Sequence, residues 1–108
     1  MITHSYQVDL LVNATATTSD GYWWPGGEGL FIIHGTFAAP DAASFQYRTG
    51  QSASFMTYSV INPSTGVPTV VLINQSCAFN FRLPPCEIRV TVNSDVTNAY
   101  VRVIRIPD

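Results

Sequence analysis

The sequence predicts an all-β domain, an antiparallel β-sandwich or jelly roll of about eight short strands. Three observations predict it. Apolar and polar residues alternate in short runs, as in Phe79-Asn80-Phe81-Arg82-Leu83 and Ile88-Arg89-Val90-Thr91-Val92; period two is the mark of a half-buried strand. Valine, isoleucine, threonine and aromatic residues fill those runs, while clusters of Gly, Pro, Asn and Ser separate them, which is strand and turn chemistry respectively. Repeated strands with turns between them are the pattern of a sandwich or jelly roll.

The strands follow in order. Tyr6, Val8, Leu10 and Val12 alternate with Gln7, Asp9 and Asn13, broken by Leu11. A polar run from Ala14 to Asp20 leads into Gly21-Tyr22-Trp23-Trp24-Pro25-Gly26-Gly27-Glu28-Gly29, which holds both tryptophans and four of the seven glycines. Proline pushes Trp24 towards an extended conformation, and the glycines supply a sharp corner. Leu30 to Ile33 is apolar on both faces, which suits a central strand or one whose outer face a partner covers. Residues 38–43 read as a loop or single turn because Pro40 interrupts a short alanine-rich stretch.

Ser44–Arg48 and Ser54–Val60 form a hairpin about Thr49-Gly50-Gln51-Ser52. Asn62-Pro63-Ser64-Thr65-Gly66 is a turn, and Thr69–Ile73 a β-branched strand. In Ala78–Leu83, Phe79, Phe81 and Leu83 point inward. In Glu87–Asn93, Ile88, Val90 and Val92 do so, with a turn at Asn93-Ser94-Asp95. The last strand, Asn98–Ile106, puts Val101 and Val103 on one face and Tyr100, Arg102 and Ile104 on the other. Leu83-Pro84-Pro85 reads as a hairpin turn, which would set Cys86 opposite roughly Arg82 and not Cys77. A disulfide then has the wrong geometry. Another register would pair the two cysteines; the expectation is two thiols, as in a reducing cytosol.

A chain of 108 residues reads as one domain, 1–108, and buries roughly 65% of its unfolded surface, enough for a core without staples. Hydrophobic residues make up 46% and charged residues only 11%, with no lysine, against the usual ~25% charged. So few charges suit a chain packed against copies of itself or a larger assembly. A formal net charge of -2, with arginines spread over several strands, argues against nucleic acid. The first residues lack the basic and apolar regions of a signal peptide, and no apolar stretch reaches the ~20 residues of a membrane-spanning helix.

Reaction chemistry is thin. His4 and His34 have no Cys, His or carboxylate at metal-ligand spacing, and His34, in an apolar strand, reads as a core or interface residue. No nucleophile elbow, no Cys beside a His and no paired carboxylates occur, and Gly26-Gly27-Glu28-Gly29 lacks the helix and lysine of a phosphate loop. The expectation is no enzyme, no cofactor and no metal site.

The order Trp24-Pro25-Gly26-Gly27-x-Gly29, a β run ending Gly35-Thr36-Phe37, then Phe81-Arg82-Leu83-Pro84-Pro85-Cys86-Glu87-Ile88-Arg89-Val90-Thr91-Val92 and a closing Val101-Arg102-Val103-Ile104-Arg105-Ile106-Pro107 resembles a group of small β-rich virion proteins of tailed bacteriophages. The resemblance spans most of the chain. It departs from the family where Pro85-Cys86 replaces a glycine-containing turn. It implies a structural role: a capsid decoration (cement) protein binding the major capsid protein on the virion surface, made in the host cytoplasm and assembling as a homotrimer. A tail or head-fibre component, or a carbohydrate-binding adhesin module, is the alternative. Interface hot spots favour Trp, Tyr and Arg, so Tyr22, Trp23, Trp24, Tyr47, Arg89 and Arg102 are the candidate contact residues. The segment from Met1 to Ser5 is either a frayed end or an arm that orders on a partner.

Overall fold

The computed structural model describes residues 7–38, 43–71, 73–93 and 96–106. The expected N-terminal arm, most of the 38–43 loop and the turn at residues 94–95 lie outside them. The elements are β1 (Gln7–Ala14), β2 (Tyr22–Trp24), β3 (Gly27–Phe37), β4 (Ala43–Arg48), β5 (Met56–Thr57), β6 (Ser59–Ile61), β7 (Pro68–Val70), β8 (Cys77–Leu83), β9 (Cys86–Val92) and β10 (Val96–Arg105). Every strand pair is antiparallel.

The pairing is nested. Gln7 faces Ile104, Tyr22 faces Ile88, Gly27 faces Leu83, Ile33 faces Cys77 and Gln46 faces Thr57. The chain is thus one long antiparallel ribbon folded back near residue 50 and rolled up. Rolling gives two four-stranded sheets, in the orders β1-β10-β3-β8 and β2-β9-β4-β5. This is the eight-strand double Greek key of a jelly roll. The other two strands, β6 and β7, form a separate two-stranded sheet, inserted between β5 and β8.

The inner faces of the two sheets meet through aromatic rings. Phe31 of β3 and Phe81 of β8 each lie 4.8 Å from Phe45 of β4, and Trp24 of β2 lies 4.9 Å from Phe81. Ile33, Ile88, Val90, Val101 and Val103 complete a fully buried interior. Each tilted ring pair adds about 0.5–1.5 kcal/mol beyond its area burial. The alternation expected for β8, β9 and β10 is present: Phe81, Leu83, Ile88, Val90, Val92, Val101 and Val103 are all buried.

Two departures from the expected elements have local causes. Leu10 and Leu11 are both buried because β1 shifts register against β10 between Asp9 and Leu11. A bulge turns one extra residue inward, which is why Leu11 breaks the alternation. The run Ser54–Val60 is split at Tyr58, between β5 and β6. Tyr58 N–H donates to Phe45 O at 2.8 Å, and its ring packs 5.9 Å from Phe45 and 6.1 Å from Phe81. The strand expected from Thr69 begins at Pro68 and ends at Val70, and Ile73 makes only an isolated bridge to Ala43.

One expectation is corrected. Leu83-Pro84-Pro85 is not a hairpin turn. β8 pairs with β3 in one sheet, while β9 pairs with β2 and β4 in the other. The two prolines carry the chain across the edge of the sandwich, where Pro25 and Gly26 carry the facing strand across in the opposite direction. Gly26 has φ 96, and a Cβ there would stand 2.9 Å from Pro85 Cδ. Only glycine accepts both that backbone and that approach. The thiols are unbonded as expected, but the reason differs: Cys77 faces Ile33 and Cys86 faces Trp24, in different sheets.

Candidate interaction surfaces

The six candidate residues separate by strand parity. Tyr22 and Tyr47 both stand opposite the buried Ile88, so both turn inward and lie half-buried against the core. Trp24, opposite the buried Cys86, has no exposed surface and is a core residue rather than a contact residue. Trp23, one position earlier, points out and keeps 63% of its surface exposed. Arg89 lies on that same outer face, and Arg102 on the outer face of the opposite sheet.

On the outer face of β2-β9-β4-β5, Trp23, Glu87 and Arg48 form one cross-strand row. Arg48 Nε donates to Glu87 Oε1 at 2.7 Å, and Arg48 Nη1 donates to Gln51 O at 3.1 Å. With the 49–51 turn they line a shallow groove of about 250 Å³. In the next row Arg89 Nε donates to Gln46 Oε1 at 2.7 Å. The Phe55 ring lies under both guanidinium groups, 3.9 Å from that of Arg89 and 4.6 Å from that of Arg48. Such stacking holds a cation flat without neutralising it.

The outer face of β1-β10-β3-β8 is more apolar. Ile104 faces Leu30, and Arg102 faces Ile32, so isoleucine and leucine occupy positions that a solvated sheet face fills with polar residues. At the β1 end a groove of about 410 Å³ runs past Val12, Ile32, His34 and Tyr100. In it Arg102 Nε pairs with Asp9 Oδ1 at 2.7 Å. That hydrogen bond holds the Asp9 carboxyl below the usual carboxylate range and raises Arg102. His34, expected in the core or an interface, is exposed on this face opposite Tyr100.

The third surface is the β6–β7 ribbon. Ile61 and Pro68 face each other, as do Ser59 and Val70, and Val60 and Thr69. Its turn is tied by Gly66 N–H donating to Asn62 O at 2.7 Å and Ser64 N–H donating to Asn62 Oδ1 at 2.9 Å. All of Val60, Ile61, Val67 and Val70 are exposed.

Sequence reasoning missed Arg48, Glu87 and Phe55, because their meeting depends on which strands are neighbours. It also missed the ribbon, though one signal pointed there: no charged residue occurs between Arg48 and Arg82. Among the described residues, no three of His, Cys, Asp and Glu cluster closely enough to hold a metal ion. Comparison with known protein families, curated proteins and solved structures found no match.

Proposed function

We propose that this chain is a structural protein of a tailed bacteriophage particle, a decoration or cement protein that binds across neighbouring copies of the major capsid protein. The observation that carries the reading is large apolar side chains left outside a complete core. Val12, Trp23, Ile61, Val67 and Tyr100 are each about half exposed or more on a chain with twelve Asp, Glu, Lys and Arg residues, seven acidic and five basic. They group on three surfaces, Val12 with Tyr100 at one groove, Trp23 at another and Ile61 with Val67 on the ribbon, and apolar side chains grouped at the surface mark sites that partners cover. The jelly roll is found in viral capsid, lectin and cupin domains, an analogy at the level of fold alone. On a symmetric shell, modest contacts by each copy add as avidity, and the homotrimer expected from the resemblance belongs to this reading.

The test is addition of purified protein to capsids that lack it. Saturable binding and raised resistance to heat or low salt are expected. Absence of both overturns the proposal.

A second reading is an adhesin or fibre component that binds carbohydrate. The observation favouring it is Trp23, an exposed ring beside Arg48, Glu87 and the 49–51 turn, since such a ring can stack on the C–H face of a sugar while the charged pair meets its hydroxyls. Tryptophan fluorescence with host polysaccharide tests it, with Trp23→Ala as the control. A flat titration removes the reading.

A further inference from the structure

We propose that the β6–β7 ribbon of one copy seats in the groove between β1, β10 and β3 of a second copy. The inference deepens the assembly role proposed above and rests on two features that lie on different parts of the molecule.

The first is the ribbon. Val60, Ile61, Val67 and Val70 keep 48%, 60%, 56% and 48% of their surfaces exposed. They occupy both faces of a ribbon only two strands wide, an arrangement with little stability of its own in water. The ribbon continues from Tyr58, whose carbonyl accepts Val71 N–H at 2.9 Å; Tyr58 is half-buried against the core, so the base is held while the tip is bare. Pro68 has no N–H and sits at the start of β7, which blunts strand addition. Along the β7 edge the ribbon therefore offers side chains rather than a free strand edge.

The second feature is the groove. At about 410 Å³ it is within the size range of sites that enclose a small ligand, and it takes a few aliphatic side chains. Val12 and Tyr100 on its rim are 65% and 47% exposed, and Ile32 lies in its floor. Charge selects the occupant. Among the described residues lining the groove, Asp9 and Arg102 neutralise each other and His34 is counted neutral at pH 7, so it offers neither a cationic nor an anionic partner a net attraction. The ribbon is the matching surface, because it lies within the uncharged stretch between Arg48 and Arg82. A convex neutral apolar element and a concave neutral apolar one on the same chain satisfy each other between copies. Because the two surfaces differ, the contact either closes reciprocally as a dimer or runs head to tail into a ring.

The experiment is light scattering after size exclusion at about 100 μM, well above a micromolar Kd. It compares wild type, Ile61→Lys, Val12→Glu and an equimolar mixture of the two variants. Both positions are exposed, and a cooperative thermal transition, measured at high dilution where association adds no stability, confirms that each variant folds. Wild type should run at a multiple of the 11.8 kDa chain, and each variant alone as a monomer. The mixture should recover association, because the intact ribbon of Val12→Glu meets the intact groove of Ile61→Lys. A monomeric wild type, a Val12→Glu variant that keeps the wild-type mass, or a mixture that stays monomeric overturns the proposal. The same samples added to capsids separate the two readings: a monomer that still binds shells leaves the decoration role standing while this contact falls.

Discussion

Gly29→Ala tests whether the corner of the roll is packed as described. Gly29 is buried in β3, opposite Phe81 and Arg105. A Cβ there would stand 2.6 Å from Trp24 Cη2, 2.6 Å from Phe81 Cζ and 2.8 Å from Phe81 Cε1. Overpacking a core costs about 1–3 kcal/mol. Both obstructing groups are aromatic rings held by further rings, so neither yields easily and the upper end, about 3 kcal/mol, applies. Alanine returns about 0.4–1 kcal/mol by restricting the unfolded chain, leaving a net loss of about 2 kcal/mol. Urea unfolding followed by tryptophan fluorescence reads this directly. With a slope of about 2 kcal/mol per molar, the midpoint should fall by about 1 M. Gly50→Ala is the matched control, because nothing lies within 4 Å of its added Cβ and its φ is not positive; it should be neutral or stabilising by up to about 1 kcal/mol. A Gly29→Ala midpoint equal to wild type would refute the packing of Trp24 against the bare backbone of β3.

The two tryptophans should behave oppositely: Trp24→Ala should cost about 3–5 kcal/mol, as large-to-small core changes do, while Trp23→Ala should stay within about 0.5 kcal/mol in the same unfolding assay. The Asp9 carboxyl is depressed by the Arg102 hydrogen bond, so its contribution is present above the unfolded carboxylate pKa of about 4 and lost as pH falls through the lower folded value. Asp9→Asn should flatten the acid side of the stability profile by a small amount that added salt also removes. Burial raises the Cys86 thiol to about 11 and pushes Cys77 up as well. From its ordinary value near 9 upward the unfolded chain loses the Cys86 proton while the native state keeps it, so stability should fall between about pH 9 and 11, and Cys86→Ala should reduce that slope. Thiol labelling of the native protein near pH 8 should reach half-buried Cys77 before Cys86, and both in urea.

What the sequence made legible was whatever depends on neighbours along the chain. The alternation through Phe79-Asn80-Phe81 and Ile88-Arg89-Val90 assigned faces correctly, and the Asn62–Gly66 turn stands as read. What stayed hidden depends on which strands lie side by side. Pro84-Pro85 between two alternating strands looks the same whether the chain doubles back or crosses to another sheet; the pairing of β8 with β3 and of β9 with β2 decides it. Parity alone could not tell Trp23 from Trp24 until Cys86 was known to stand opposite Trp24. Arg48, Glu87 and Trp23 meet only because β9 lies between β2 and β4.

The nested pairing sets an order of events in folding. Within the two four-stranded sheets Tyr47 and Met56 are the closest partners in sequence, and Gln7 and Ile104 the most distant. Closing a short loop is entropically cheaper than closing a long one, so the roll should zip from the β4–β5 hairpin outward. Each rung shortens the loop left for the next. A chain dominated by such remote pairings folds slowly, in the millisecond-to-second range of β-barrels and sandwiches. The strand that closes last, β1, joins its sheet only along β10. Until it arrives, the edge of β10 is a vacant template, and during crowded synthesis that edge is where a neighbouring chain competes for the same place.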